Sequence, residues 1–77
     1  NPFNPATTIY YSIKKEGRVL LTVHNLLGEQ VSVLINEVKP KGKYRVVFNA
    51  GQLANGIYFY KLCVNDYVAI DKMTLIK

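Results

Sequence analysis

Apolar and polar residues alternate along almost the whole chain, which is the period of a half-buried β-strand. In Thr7-Thr8-Ile9-Tyr10-Tyr11-Ser12-Ile13, one face carries Ile9, Tyr11 and Ile13 and the other Thr8, Tyr10 and Ser12. Lys14 to Gly17 reads as a polar turn, and Arg18 to His24 alternates again with Val19, Leu21 and Val23 together. Asn25-Leu26-Leu27-Gly28 interrupts the run, and Gln30 to Ile35 resumes it with Val31 and Val33 on one face. Asn36 to Gly42, with Pro40 and Gly42, reads as a loop. Lys43 to Asn49 sets Tyr44, Val46 and Phe48 on one face, and Ala50 to Gly56 connects onward with Leu53 as a plug beneath it. From Ile57 to Val64, Lys61 marks the odd positions as outward and leaves Tyr58, Tyr60, Leu62 and Val64 inward. Asn65-Asp66 fits a two-residue hairpin, since both residue types tolerate positive φ. Tyr67 to Ile76 returns as a last strand, broken near Asp71, with Met73 and Leu75 inward and Lys72 and Thr74 outward. Short strands with turn signals every 8 to 12 residues or so predict an all-β fold, a small antiparallel β-sandwich of about seven strands.

Composition narrows the class. At 77 residues the chain is one domain or part of one, which excludes an enzyme with separate cofactor and substrate domains. With 49% hydrophobic and 19% charged residues it is too apolar for intrinsic disorder. It opens at Asn1-Pro2 with no initiator Met, and so reads as a piece excised from a longer protein. A formal charge of +5 suits a polyanionic partner, whether nucleic acid, an anionic membrane surface or an acidic polysaccharide. A single cysteine, Cys63, excludes an internal disulfide and leaves stability to packing.

Candidate chemistry is sparse. Nucleophilic catalysis needs a nucleophile, a base within reach and a group that orients the base. His24 and Cys63 fall on different strands and face outward, and no third residue is nominated by spacing. The acids Glu16, Glu29, Glu37, Asp66 and Asp71 are scattered, with no Cys or His pair to hold a metal. The reading is a non-enzyme without cofactor or metal. Two surface features remain. Lys39, Lys41, Lys43 and Arg45 alternate, and in an extended stretch they would form one basic stripe. Such a stripe suits an anionic glycan, a lipid headgroup or nucleic acid, or it protects an edge strand from unwanted pairing. Tyr10 and Phe59, at outward positions, suggest a carbohydrate-stacking platform, although tyrosines of a small sandwich mostly fill the core with the hydroxyl at its rim.

Four blocks then carry a family resemblance. Asn1-Pro2-Phe3-Asn4-Pro5-Ala6-Thr7-Thr8-Ile9 looks like the opening of the type A C-terminal sorting domain of the type IX (Por) secretion system. Val23-His24-Asn25-Leu26-Leu27-Gly28-Glu29-Gln30-Val31 and the segment from Leu53 through Asn55-Gly56-Ile57-Tyr58-Phe59-Tyr60-Lys61-Leu62 resemble the family's middle. Lys72-Met73-Thr74-Leu75-Ile76-Lys77 is similar to its terminal lysine-flanked apolar strand. The blocks span the whole chain in order, with His24 standing where the family more often has Tyr.

The resemblance implies a single Ig-like C-terminal sorting domain over residues 1–77, cut from a secreted cargo protein. It implies export through the periplasm to the cell surface or medium, with an outer-membrane translocon and a sortase-like protease as partners, anionic lipopolysaccharide as the attachment target, and no nucleic acid. The family's motif positions fall on Gly28, Gly56, Tyr58 and Leu62, and its recognised terminal signal on Lys72, Met73, Thr74, Leu75, Ile76 and Lys77. Physical reasoning agrees with this at several points. Pro2 and Pro5 withhold backbone donors and hold the opening segment extended. Gly28 and Gly56 follow apolar corners, where the chain needs positive φ or close approach. The last strand could be read as an edge by strand addition. A structural Ig-like module that self-associates through sheet edges, and a carbohydrate-binding accessory module, stay open beside the sorting domain.

Overall fold

The computed structural model describes residues 6–76 and places them in six strands. These are β1 (Ala6–Ile13), β2 (Gly17–His24), β3 (Gln30–Lys39), β4 (Gly42–Asn49), β5 (Gly56–Val64) and β6 (Tyr67–Leu75). The expectations for Pro2, Pro5 and Lys77 lie outside the described residues. All ladders are antiparallel: β1 pairs with β4 in one sheet, and β3-β2-β5-β6 form the other. The described residues thus form an all-β, sandwich-like fold with six strands instead of about seven.

The alternating residues meet between the sheets. Ile9, Tyr11 and Ile13 of β1 and Phe48 of β4 pack against Val19, Leu21 and Val23 of β2 and Tyr58, Leu62 and Val64 of β5. Val19, Leu21 and Val23 have no exposed surface at all, because β2 is flanked on both sides and capped by the second sheet. Burial of side chains of this size contributes about 1.5 to 3 kcal/mol each. Leu53, Met73 and Leu75 close the margins as expected, and Tyr60 and Val46, expected to be buried, are half-buried there. The Asn65-Asp66 hairpin forms as read, with Asn65 at φ 55° and Val64 paired to Tyr67.

Three expectations change in detail. The stretch Asn36 to Gly42 is a loop only at Pro40 and Lys41: β3 runs to Lys39, with Asn36, Glu37, Val38 and Lys39 opposite Leu20, Val19, Arg18 and Gly17. The ladder offered by β2 outweighs the weak strand preference of Asn, Glu and Lys. Val31 and Val33 are both exposed, and other residues of β3 carry its core side. Register shifts against β2 leave Val31 and Leu34 as extra residues, so Leu34 and Ile35 both reach the core while Val33 stays 49% exposed. The final strand is not broken at Asp71, which pairs with Tyr60 in an unshifted ladder. Its carboxylate accepts a hydrogen bond from the Tyr60 hydroxyl at 3.2 Å, so an edge strand holds the acid without interruption.

Candidate functional site

The strand registers sort the singled-out residues between the two ends of the sandwich. His24 lies opposite Phe59, Phe59 opposite Lys72, and Gly56 opposite Leu75. The β2–β3 turn, the start of β5 and the end of β6 therefore share one end. At the other end lie the Asn65-Asp66 hairpin, the Lys14–Glu16 turn and the β3–β4 corner at Pro40 and Lys41.

The first end is built by backbone chemistry. The Asn25 side-chain carbonyl accepts from the Leu27 and Glu29 amides at 3.0 Å each, and its amide donates to the Glu29 carboxylate at 2.8 Å. An Asn in this role supplies the turn's missing partners and sets its shape. Gly28 has φ 86° and Gly56 φ 151°, with nothing within 4 Å of either Cβ position. Positive φ, and not close approach, is therefore what both positions require of glycine. The turn holds Leu26 and Leu27 out at 66% and 85% exposure, so a rigid corner displays two large apolar side chains to water. The sequence pattern marked this segment only as a break; its polar scaffold, Asn25, was the available signal.

The other two motif positions are structural. Tyr58 is buried and donates its hydroxyl to the Ala54 carbonyl at 2.8 Å, tying β5 to the connection before it. Leu62 is buried in the core. In the terminal strand, Met73 and Leu75 pack inward while Lys72, Thr74 and Ile76 are exposed, so this segment presents one chemical face to the core and another to solvent.

The basic stripe does not form as a line of four. The chain turns at Pro40 and Lys41, and Lys39 points the other way: its ammonium lies 4.9 Å from the Tyr44 ring centroid and 2.8 Å from Glu37 Oε1. Tyr44 in turn stacks on Tyr11 at 5.4 Å between centroids, so Lys39 covers the rim of the core with its stem. The hydrogen bond to Lys39 holds the Glu37 carboxyl below its usual range, and the same bond raises the Lys39 ammonium above its own. Lys43 and Arg45 remain on the outer face of β4, opposite Ser12 and Tyr10, with Lys41 exposed in the corner. The reason is topological. β3 and β4 belong to different sheets, so the stretch is a corner between them and not one strand.

The remaining candidates separate. His24 is opposite Phe59 and Cys63 opposite Leu20, four residues further along β5, or about 13 Å at the usual strand rise. The imidazole bonds instead to the Thr22 hydroxyl at 2.9 Å and to the Gly28 carbonyl at 3.4 Å. No group of three or more His, Cys, Asp or Glu side chains suited to a metal occurs among the described residues. Tyr10 lies on the outer face of the small sheet and Phe59 on the outer face of the large one, so they make no common platform. Burial raises the affinity of the Tyr60 hydroxyl for its proton, and the nearby Asp71 carboxylate adds to that.

Among the described residues these features amount to a displayed turn, exposed strand faces and four strands paired on one side only, on an all-β body. The sequence model of the family described as "Secretion system C-terminal sorting domain" matches residues 1–77, and the chain belongs to that family. The domain is a C-terminal sorting signal of type IX secretion and not a catalytic unit. Among curated proteins and solved structures, none matches the chain.

Proposed function

We propose that this chain is a folded address: it carries a cargo through the periplasm to the outer-membrane translocon of the type IX system, and a sortase-like protease then removes it. The observation that carries this reading is the family match over all 77 residues. The segment from Lys72 to Lys77 is the part the translocon reads. In support, its described residues alternate between core-filling Met73 and Leu75 and solvent-facing Lys72, Thr74 and Ile76, so recognition need not disturb packing. At the cell surface, before that removal, Lys41, Lys43 and Arg45 dock on anionic lipopolysaccharide, an attraction that salt should weaken because exposed charges are screened within about 8 Å at physiological ionic strength.

The test is a periplasmic reporter fused ahead of this chain in a host with a type IX system. Lys72→Glu with Lys77→Glu reverses charge at the terminal segment. Surface changes of this kind usually alter stability by no more than about 0.5 kcal/mol. A folded double variant that stays in the periplasm is the expected outcome. Export equal to wild type would refute reading of this segment, and a wild-type chain that exports nothing would refute the address itself. A second reading, self-association, has one observation in its favour: each of β1, β4, β3 and β6 has a strand partner on one side only among the described residues.

A further inference from the structure

Two strands face four, and the mismatch leaves a trough. β1, eight residues long, pairs only with β4, and no described strand lies along its other edge. Beneath that edge, Leu62 and Ala69 form an apolar floor beside Tyr60 and Asp71, in a groove of about 300 Å³. The groove continues past Ser12 and Tyr67 into a second space of about 380 Å³, bounded by Lys14, Lys15 and the Asn65-Asp66 hairpin. Tyr67 is 60% exposed on this floor, which marks it as uncovered.

The chemistry of the trough specifies its occupant. An open strand edge presents alternating N–H and C=O groups, whose natural partner is another extended backbone. A strand added beside β1 would lie about 4.8 Å away and direct alternate side chains inward and outward. Inward ones would meet Leu62 and Ala69, which calls for apolar residues. Outward ones would lie beside Tyr10 and Ser12, with Arg45 and Lys43 one strand further away on β4, and run toward Lys14 and Lys15. No salt bridge engages these four cations among the described residues; the one present joins Lys39 to Glu37. We propose that the free edge of β1 captures an extended segment of a partner protein in which apolar residues alternate with acidic ones, as a third strand of the small sheet. This goes beyond the sorting reading and does not depend on it, because it concerns the isolated domain.

The test uses the full 77-residue chain and a synthetic octapeptide of alternating Val and Glu, with a Val and Lys octapeptide as control. Fluorescence anisotropy should show at least a tenfold preference for the acidic peptide, and amide hydrogen exchange should show new protection between Ile9 and Ser12. Ala69→Tyr, which fills the floor, should weaken binding at least tenfold. Lys14→Glu with Lys43→Glu should shift preference toward the Val and Lys peptide, and this decides the matter even if Ala69→Tyr fails to fold. Absence of binding, equal binding of both peptides, or protection on the edges of β3 or β6 would overturn the proposal. So would a sedimenting dimer whose β1 amides are protected without peptide, because a second copy would then be the occupant.

Discussion

The two ends of the sandwich are held by different forces. At the end bearing Gly28 and Gly56, Asn25 satisfies the turn through three hydrogen bonds, both glycines adopt positive φ, and Leu26, Leu27 and Ile76 stand exposed beside the charged Glu29 and Lys72. The opposite end displays charge, with Lys14, Lys15, Lys41 and Asp66 all exposed. The comparison teaches that Gly28, Gly56, Tyr58 and Leu62, the positions expected to carry the family's motif, shape corners and core and so set an outline. The surfaces that could distinguish partners, the two turn leucines and the basic rim, are set by what that outline leaves exposed.

The largest effect should come from the core shared by both ends. Leu21→Ala should cost about 2 to 5 kcal/mol, as large-to-small changes at fully buried sites do. Total stability at ordinary values per residue would be about 4 to 12 kcal/mol, so thermal melting should fall steeply and both ends should lose exchange protection together. Unequal loss would break the picture of one cooperative body.

A smaller effect should separate the ends. Asn25→Ala removes the acceptor for two turn amides and should cost about 1 to 2 kcal/mol. Amides of Leu27 and Glu29 should exchange faster, while those of the Asn65-Asp66 hairpin keep their rates. Faster exchange at the hairpin as well would show that the turn is not a local unit.

Alkaline pH tests the flank of the groove. Tyr60 binds its proton more tightly in the folded chain than the ordinary value of 10.0, through burial first and Asp71 second. A raised folded value means that the contribution is fully present below about pH 10 and is lost as pH rises through the folded value. Tyr11 shifts the same way, mainly by burial. Urea unfolding from pH 8 to 11 should therefore show stability falling above pH 10, with a shallower fall in Tyr60→Phe. An unchanged slope would remove Tyr60 from the account.

The smallest effect should be at the basic rim. Glu37→Gln breaks the pair with Lys39, but the Glu37 carboxylate is solvent-exposed and screened, so melting should hardly move and should not depend on salt. A clear drop would show that Lys39 needs Glu37 to stay over the Tyr44 ring.

Much of this was legible from residue order. Where ladders run without slippage, as between β1 and β4 and between β2 and β5, the two-residue period named the apolar core side chains, because each side chain's face follows from its position along an extended backbone; Thr22, buried between Leu21 and Val23, is outside that pattern. Gly28 and Gly56 were legible for a similar reason, since positive φ is a local demand. By contrast, the bulges of β3 at Val31 and Leu34 depend on how β2 lies beside it, and no local period encodes that partner. Lys39 looked like part of a stripe until the corner between sheets turned it onto Tyr44, a contact set by the meeting of two sheets. The open edge of β1 is likewise a property of strand count on each side of the core. Alternation determines which residues are inward, but only the assembled sheets decide which edges find partners, because pairing joins residues distant in sequence and no local period encodes the partner.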